Sequence, residues 1–271
     1  MNLTTIIPVH EYNEEVDKYL RQSIESVREQ SGIDQIPNVM VVYASELDNN
    51  ELFTNGLVKE EDSKINIKFL KNEGETDFQS QINFGVENIE TDWFSILEFD
   101  DELSTTYYKN ILHHISKLEN VDLILPILVE VNNNDEALKL TNETVWSKQF
   151  VGENGEMGYL NVNALNQYTD FKISGGVFNK SAFQSIGGLK RNIKLTFTYE
   201  FLLRLLNNGS NIYTMPKIGI KHLTTREGSL FDHYAKTLTN KEKKFWFDTA
   251  KKESNFFNDR VIDISLLETT E

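Results

Sequence analysis

The chain of 271 residues contains no cysteine, which excludes disulfides, thiolate-held structural zinc and thiol catalysis while leaving the compartment open. It has no apolar run near the ~18 to 20 residues that span a bilayer, so no membrane span is expected. Basic residues are few. Against 42 Asp and Glu there are 27 Lys and Arg, a formal charge of −15 that opposes broad adhesion to duplex DNA or an anionic membrane. The opening stretch, Met1-Asn2-Leu3-Thr4-Thr5-Ile6-Ile7-Pro8, lacks a basic segment ahead of its apolar residues, so no secretory signal is read and the expected location is cytoplasmic. Internal repeats and low-complexity linkers are absent too. What remains is ordinary globular composition, 39% hydrophobic and 25% charged, in a chain long enough for one large α/β domain or two small ones.

Apolar, β-branched runs alternate with helical spacing. Residues 3–9 read as a strand and 14–30 as a helix, with Val16, Leu20, Ile24 and Val27 on one face and acids in the first turn. Residues 39–44 and 65–70 give two further strands. Residues 77–89 form a helix carrying Phe78, Ile82, Val86 and Ile89 on one stripe, and 94–97 a fourth, buried strand. This alternation predicts a mainly parallel twisted sheet with helices on both faces. A helix over 104–118 and a strand over 122–131 follow, and 135–170 is irregular. Order returns in a strand over 171–178, whose Gly175-Gly176 permits close approach of a backbone or a ligand. Helices over 180–186 and 198–208, strands over 211–215 and 218–222, and an aromatic-rich helix over 241–257 complete the pattern. That last helix suits packing on the domain or contact between copies, giving a homo-oligomer.

The fourth strand ends in Glu98-Phe99-Asp100-Asp101-Glu102, four carboxylates among five residues. On an extended segment side chains two apart share a side, so Glu98 and Asp100 are expected to face one pocket while Phe99 and Asp101 face away. Two hard oxygen ligands at the carboxyl end of such a strand suit a divalent cation, and through it a diphosphate. A solvated acidic turn is the alternative.

In order and spacing these pieces resemble the family 2-like glycosyltransferases of GT-A fold. Thr5 to Glu14 is similar to the family's opening strand and nucleotide loop. Asn72-Glu73-Gly74 and Asn83-Phe84-Gly85 resemble its Asn-x-Gly signatures, and Glu98-Phe99-Asp100-Asp101 its metal motif. Ser174-Gly175-Gly176 and the stretch from Thr198 to Gly209 resemble its acceptor-side strand and helix, with His222 where a third metal ligand often stands. Three departures stand out: Tyr43-Ala44-Ser45 replaces acids that usually hold the nucleobase, Glu98 replaces an aspartate, and Thr198 replaces the usual catalytic Asp.

The resemblance implies a GT-A (Rossmann-like) domain over 1–230, with a nucleotide-binding half (1–103) and an acceptor-binding half (104–230), then a C-terminal helical extension over 231–271. It implies metal-dependent transfer, with inversion, from a nucleoside-diphosphate sugar to a hydroxyl of a glycan, protein or other acceptor. Mn²⁺ or Mg²⁺ would rest on Asp100, Glu98 and His222; Pro8, His10, Glu14, Tyr43, Asn83, Glu98 and Asp101 would surround the donor. Asp100 and Glu200 would be catalytic, Glu200 replacing Thr198 as the base ahead of Asp170. The other reading is a catalytically degenerate GT-A protein that binds a nucleotide or glycan or serves structurally.

Overall fold

The computed structural model describes residues 2–57, 64–143, 158–224, 226 and 229–256. Its elements run β1 (Leu3–Val9), α1 (Glu14–Arg28), β2 (Asn38–Ala44), a 3-10 turn (Ser45–Asn49), α2 (Glu51–Asn55), β3 (Ile67–Asn72), α3 (Phe78–Asn88), β4 (Trp93–Ile96), β5 (Glu102–Leu103), α4 (Tyr107–Ile115) and β6 (Leu123–Val131). Then come β7 (Ala137–Thr141), β8 (Gly158–Leu160), α5 (Val162–Gln167), β9 (Val177–Asn179), α6 (Lys180–Ser185), α7 (Phe197–Asn207), β10 (Ile212–Leu223), α8 (Leu230–Thr237) and α9 (Asn240–Glu253).

The strands form one sheet in the order β3-β2-β1-β4-β9-β6-β10-β5, with β7 beside β6 and β8 beside β10. Strands β3, β2, β1 and β4 are parallel, as are β6 and β10, while the short β9 joins the two sets antiparallel to β4 and β6. Alternate residues of each strand feed two cores. Ile6, Met40, Val42, Phe94 and Ile96 meet α3, α6, α7 and α9 on one face. Leu3, Ile7, Val9, Val39, Val41 and Leu97 meet α1 and α4 on the other. Burial of each such side chain contributes about 1.5–3 kcal/mol, which is why both helical layers stay in place. In α1 the predicted stripe of Val16, Leu20, Ile24 and Val27 is buried, and Asn13 caps the helix by accepting from the Val16 amide at 2.9 Å.

The structure differs from the sequence expectation where local pattern gives way to long-range pairing. The strand expected over 171–178 is regular only at β9; residues 174–175 form a turn. Gly175, at φ +69°, lies where a Cβ would stand 2.4 Å from Ile220, so the glycine serves close packing of this turn on β10. The two strands expected over 211–222 are one continuous β10 with register shifts between Met215 and Ile220. The irregular stretch contains β7, β8 and α5, and its residues 144–157 lie outside the described part.

The acidic stretch departs from the two-residue period for a definite reason. Regular pairing ends at Ile96, and the Asp101 amide donates to the Glu98 carbonyl at 3.0 Å, closing a turn over 98–101. That turn carries Asp101 inward instead of leaving it on the side away from the pocket, and Asp101 is fully buried.

At the other end, Thr239 and Glu242 form a capping box on α9. Trp246 and Ala250 are buried in the core on the α7 side, and the Trp246 carbonyl accepts from Thr196 Oγ1 at 2.8 Å. The aromatic-rich helix therefore packs on its own domain. Residues 257–271 of the expected extension lie outside the described part.

Candidate active site

Two adjoining cavities open where β1, β4 and β10 end. The first, of about 340 Å³, is lined by Pro8, His10, the turn from Glu98 to Asp100, and a basic set of Arg191, Lys194 and Arg226. The second, of about 450 Å³, is lined by Glu130, Lys139, Asp170 and Thr198 among aromatic rings that include Phe171, Tyr199 and Phe247. Glu98, Lys172 and His222 belong to the walls of both.

Sheet register builds the floor. Glu130 of β6 pairs with Lys139 of β7 on one side and His222 of β10 on the other, so these residues form a cross-strand row. Lys172 closes over the row: its Nζ lies 2.9 Å from His222 Nε2 and 3.4 Å from Glu130 Oε1. Asn142 fixes the Lys172 backbone from both sides, donating to its carbonyl at 2.9 Å and accepting from its amide at 2.9 Å.

Asp101 is the buried organiser. Its carboxylate takes His222 Nδ1 at 2.8 and 3.0 Å, the Leu223 amide at 3.3 Å and the Ser174 hydroxyl. Burial opposes the charged imidazole, but the charge and hydrogen bond of Asp101 outweigh it and lift His222 to about 9. Asp100 is held by Arg226 Nε at 2.8 Å, and Arg226 also reaches Glu11 at 3.0 Å and lies over the Phe99 ring. Burial and the Asp101 charge still raise the Asp100 carboxyl above its ordinary range. Glu98 makes no side-chain hydrogen bond or ion pair among the described residues; burial, then the Asp101 charge, push it up to about 7. Glu130, by contrast, is kept below its ordinary range, since Thr141, Lys172 and Lys139 outweigh its burial.

The sequence-predicted residues divide between cleft and scaffold. Pro8, His10, Glu98, Asp100 and His222 line the first cavity. Ligand atoms of Glu98, Asp101 and His222 lie within 4.8 Å of one another, so the acid that joins this cluster is Asp101, the one expected to face away. Glu14 is an exposed first-turn acid of α1, outside both cavity walls. Tyr43 packs on Phe53 and donates to Asp48 at 3.2 Å. Asn83 holds the Leu189 amide and carbonyl, both at 2.8 Å, and so joins α3 to the segment after α6 instead of facing the cleft. Glu200 is fully buried and bound by Arg204, which removes it from both cavity walls. Its place on the interior side of α7 follows from the spacing that makes α7 amphipathic; Thr198, two residues earlier, faces the second cavity. Sequence reasoning passed over Lys172, Glu130 and Arg191. Glu130 carried a signal, an acid in an otherwise apolar strand, which must find buried partners.

A sequence model of glycosyl transferase family 2 matches residues 4–185. No curated protein sequence matches the chain. Among solved structures, TarS 1–349 of S. aureus in complex with UDP-GlcNAc is similar with a TM-score of 0.68 at 15% identity, over 93% of this chain and 66% of that one. The same TarS 1–349 in complex with UDP gives 0.59 at 15% identity, over 93% of this chain and 71% of that one. TarS itself gives 0.57 at 15% identity, over 93% of this chain and 43% of the other, so the chain spans less than half of that structure. The likeness is one of fold: a mainly parallel curled sheet between helices, as in GT-A glycosyltransferases. Among the described residues no helix is long and apolar enough to cross a membrane.

Proposed function

Since the chain belongs to glycosyl transferase family 2, we propose that it moves a sugar from a nucleoside-diphosphate sugar in the first cavity to an acceptor hydroxyl in the second. The observation that carries this reading is the wall of Glu98, Lys172 and His222 common to both cavities. A donor on one side and an acceptor on the other would meet there, as a single displacement requires. Arg191, Lys194 and Arg226 offer the positive charge a diphosphate needs. Uridine is the first nucleobase to test, because the TarS complexes hold UDP and UDP-GlcNAc.

The residues fit a divalent cation. Glu98 is a carboxylate with no side-chain hydrogen bond or ion pair among the described residues, and Asp101 on Nδ1 turns His222 Nε2 toward the cleft, the arrangement by which an outer carboxylate orients a metal-bound histidine. Glu98, Asp100 and His222 would hold Mn²⁺ or Mg²⁺, with Asp101 behind them. Such an ion supplies Lewis-acid neutralisation of the leaving diphosphate. Asp170 then takes the role expected of Glu200. It lines the second cavity, is 71% exposed and is held by Lys139 at 2.7 Å. As the acceptor oxygen bonds to the anomeric carbon, its proton passes to Asp170; the bond to the diphosphate breaks and the electron pair leaves with it, inverting the centre. Thr198 in the usual place of an acid favours a second reading, a member that binds a donor without transferring its sugar.

Isothermal calorimetry with UDP in Mn²⁺ and in EDTA tests the proposal. The expected result is binding that needs Mn²⁺ and is lost in Asp100→Ala; no binding of any nucleoside diphosphate would refute it. Metal-dependent binding of a UDP-sugar without hydrolysis or transfer to any acceptor would select the second reading.

A further inference from the structure

Lys172 is the residue whose position the transfer scheme leaves unexplained. Its backbone is clamped by Asn142 on both sides, while its amino group meets both His222 Nε2 at 2.9 Å and Glu130 Oε1 at 3.4 Å. His222 has one nitrogen to offer a ligand, because Nδ1 is committed to Asp101. Lys172 therefore stands at the one His222 nitrogen that a metal could use.

We infer that Lys172 is a tethered cation that holds the place on His222 Nε2 and gives it up, moving onto Glu130, when a divalent cation binds. This inference rests on the metal reading above. Three observations support it. The nitrogen cannot serve both occupants at once. A divalent ion held by Glu98, Asp100 and His222 would repel a positive head group at hydrogen-bond distance from His222. The alternative place already exists, since Glu130 is the cross-strand neighbour of His222, is buried, and is held ready by Thr141 and by Lys139 at 3.4 Å. A four-carbon stem on a fixed backbone can cover the difference between the two places by rotation about its own bonds.

The consequence reaches the second cavity. When Lys172 moves onto Glu130, positive charge shifts away from the junction and onto the acceptor-side wall, where Lys139 and Asp170 also lie. Loading of the first cavity would in this way alter the charge that an acceptor meets in the second. Emptying it would restore the Lys172 contact with His222.

The probe is Mn²⁺ alone, titrated into the full chain while electron paramagnetic resonance reads the free ion. Lys172→Met should bind Mn²⁺ about tenfold more tightly than the wild type, within the 5–150-fold usual for coupled sites, and Lys172→Arg should stay near the wild type. Glu130→Gln, which removes the second place, should bind Mn²⁺ several-fold more weakly than the wild type. A merely structural role for Lys172 would not produce shifts of opposite sign. If Lys172→Met does not fold, Lys172→Gln replaces it. Unchanged or weaker Mn²⁺ binding in the Lys172 variant, with the wild type still binding, overturns the inference and leaves the metal reading standing. Failure of every form to bind Mn²⁺ while UDP still binds overturns both.

Discussion

The protein contains two clusters built from the same residue types and used in opposite ways. On the inner side of α7, Glu200 and Arg204 are each 0% exposed and joined by two hydrogen bonds of 2.8 and 3.0 Å. Arg204 gives two further donors to the carbonyls of Ile186 and Gly188, and Lys190 adds an ion pair to Glu200 and a hydrogen bond to the Glu253 carbonyl. Every charge there is answered by protein, and the bonds tie α7 to the segment after α6 and to α9. In the cleft, Glu98 has no side-chain partner among the described residues, and Asp100 divides its surroundings between Arg226 and the repulsion of Asp101. Completed pairing holds a fold together; incomplete pairing at a cavity wall is what a ligand can complete.

The sharpest way to break this comparison is to remove one partner of the sealed cluster. Arg204→Ala would leave Glu200 buried against Lys190 alone, and a buried pair so broken loses about 3–5 kcal/mol. Urea denaturation should show that loss. A change below about 1 kcal/mol would mean that water reaches Glu200 and that the distinction between the clusters fails.

A smaller effect of opposite sign is expected in the cleft. Burial and the Asp101 charge lift Glu98 from its ordinary 4.5 to about 7, so the folded protein holds this proton more tightly than the unfolded chain. Stability from that preference is complete below pH 4.5 and is lost as the pH rises through 7. That preference amounts to about 1–2 kcal/mol once the partial exposure of Glu98 is allowed for. Metal-free Glu98→Gln should therefore be more stable than the wild type at pH 8 and equal to it at pH 4.5. Parallel stability profiles for the two forms would show that Glu98 does not strain the fold.

The two clusters were unequally legible. Glu200 and Arg204 stand four apart on a helical pattern, the spacing of an intrahelical ion pair, so their mutual satisfaction could be read without coordinates. The layers were legible for a similar reason: period-two strands and 3.6-period helices state which side chains go inward, as at Ile6 and Ile7 or at Val16 and Leu20. The cleft resisted because no local period describes it. Asp101 reaches His222 through a turn that cancels strand alternation, and the row of Lys139, Glu130 and His222 exists only through the order of three strands. Lys172 comes to that row on an irregular segment held by Asn142, a contact spanning 30 residues.

The smallest change in stability should come from the carboxylate proposed as the base. Asp170 meets Lys139 at 2.7 Å, but the two side chains are 71% and 51% exposed, and an ion pair so open to water contributes at most about 1 kcal/mol. Asp170→Asn keeps the size of the side chain and removes its ability to accept a proton. With a transferred sugar nucleotide and its acceptor in hand, its kcat should fall about 10²- to 10⁴-fold, the usual share of a general base, while the urea midpoint stays within error of the wild type. The pairing of a large kinetic loss with an intact fold is what separates the open carboxylate from the sealed one: Glu200→Gln should do the reverse, weakening the fold through Arg204 and leaving the turnover of its folded fraction near that of the wild type. An unchanged kcat in Asp170→Asn would remove the base from this side of the cavity, and a loss confined to Glu200→Gln would mean that α7 opens during the reaction.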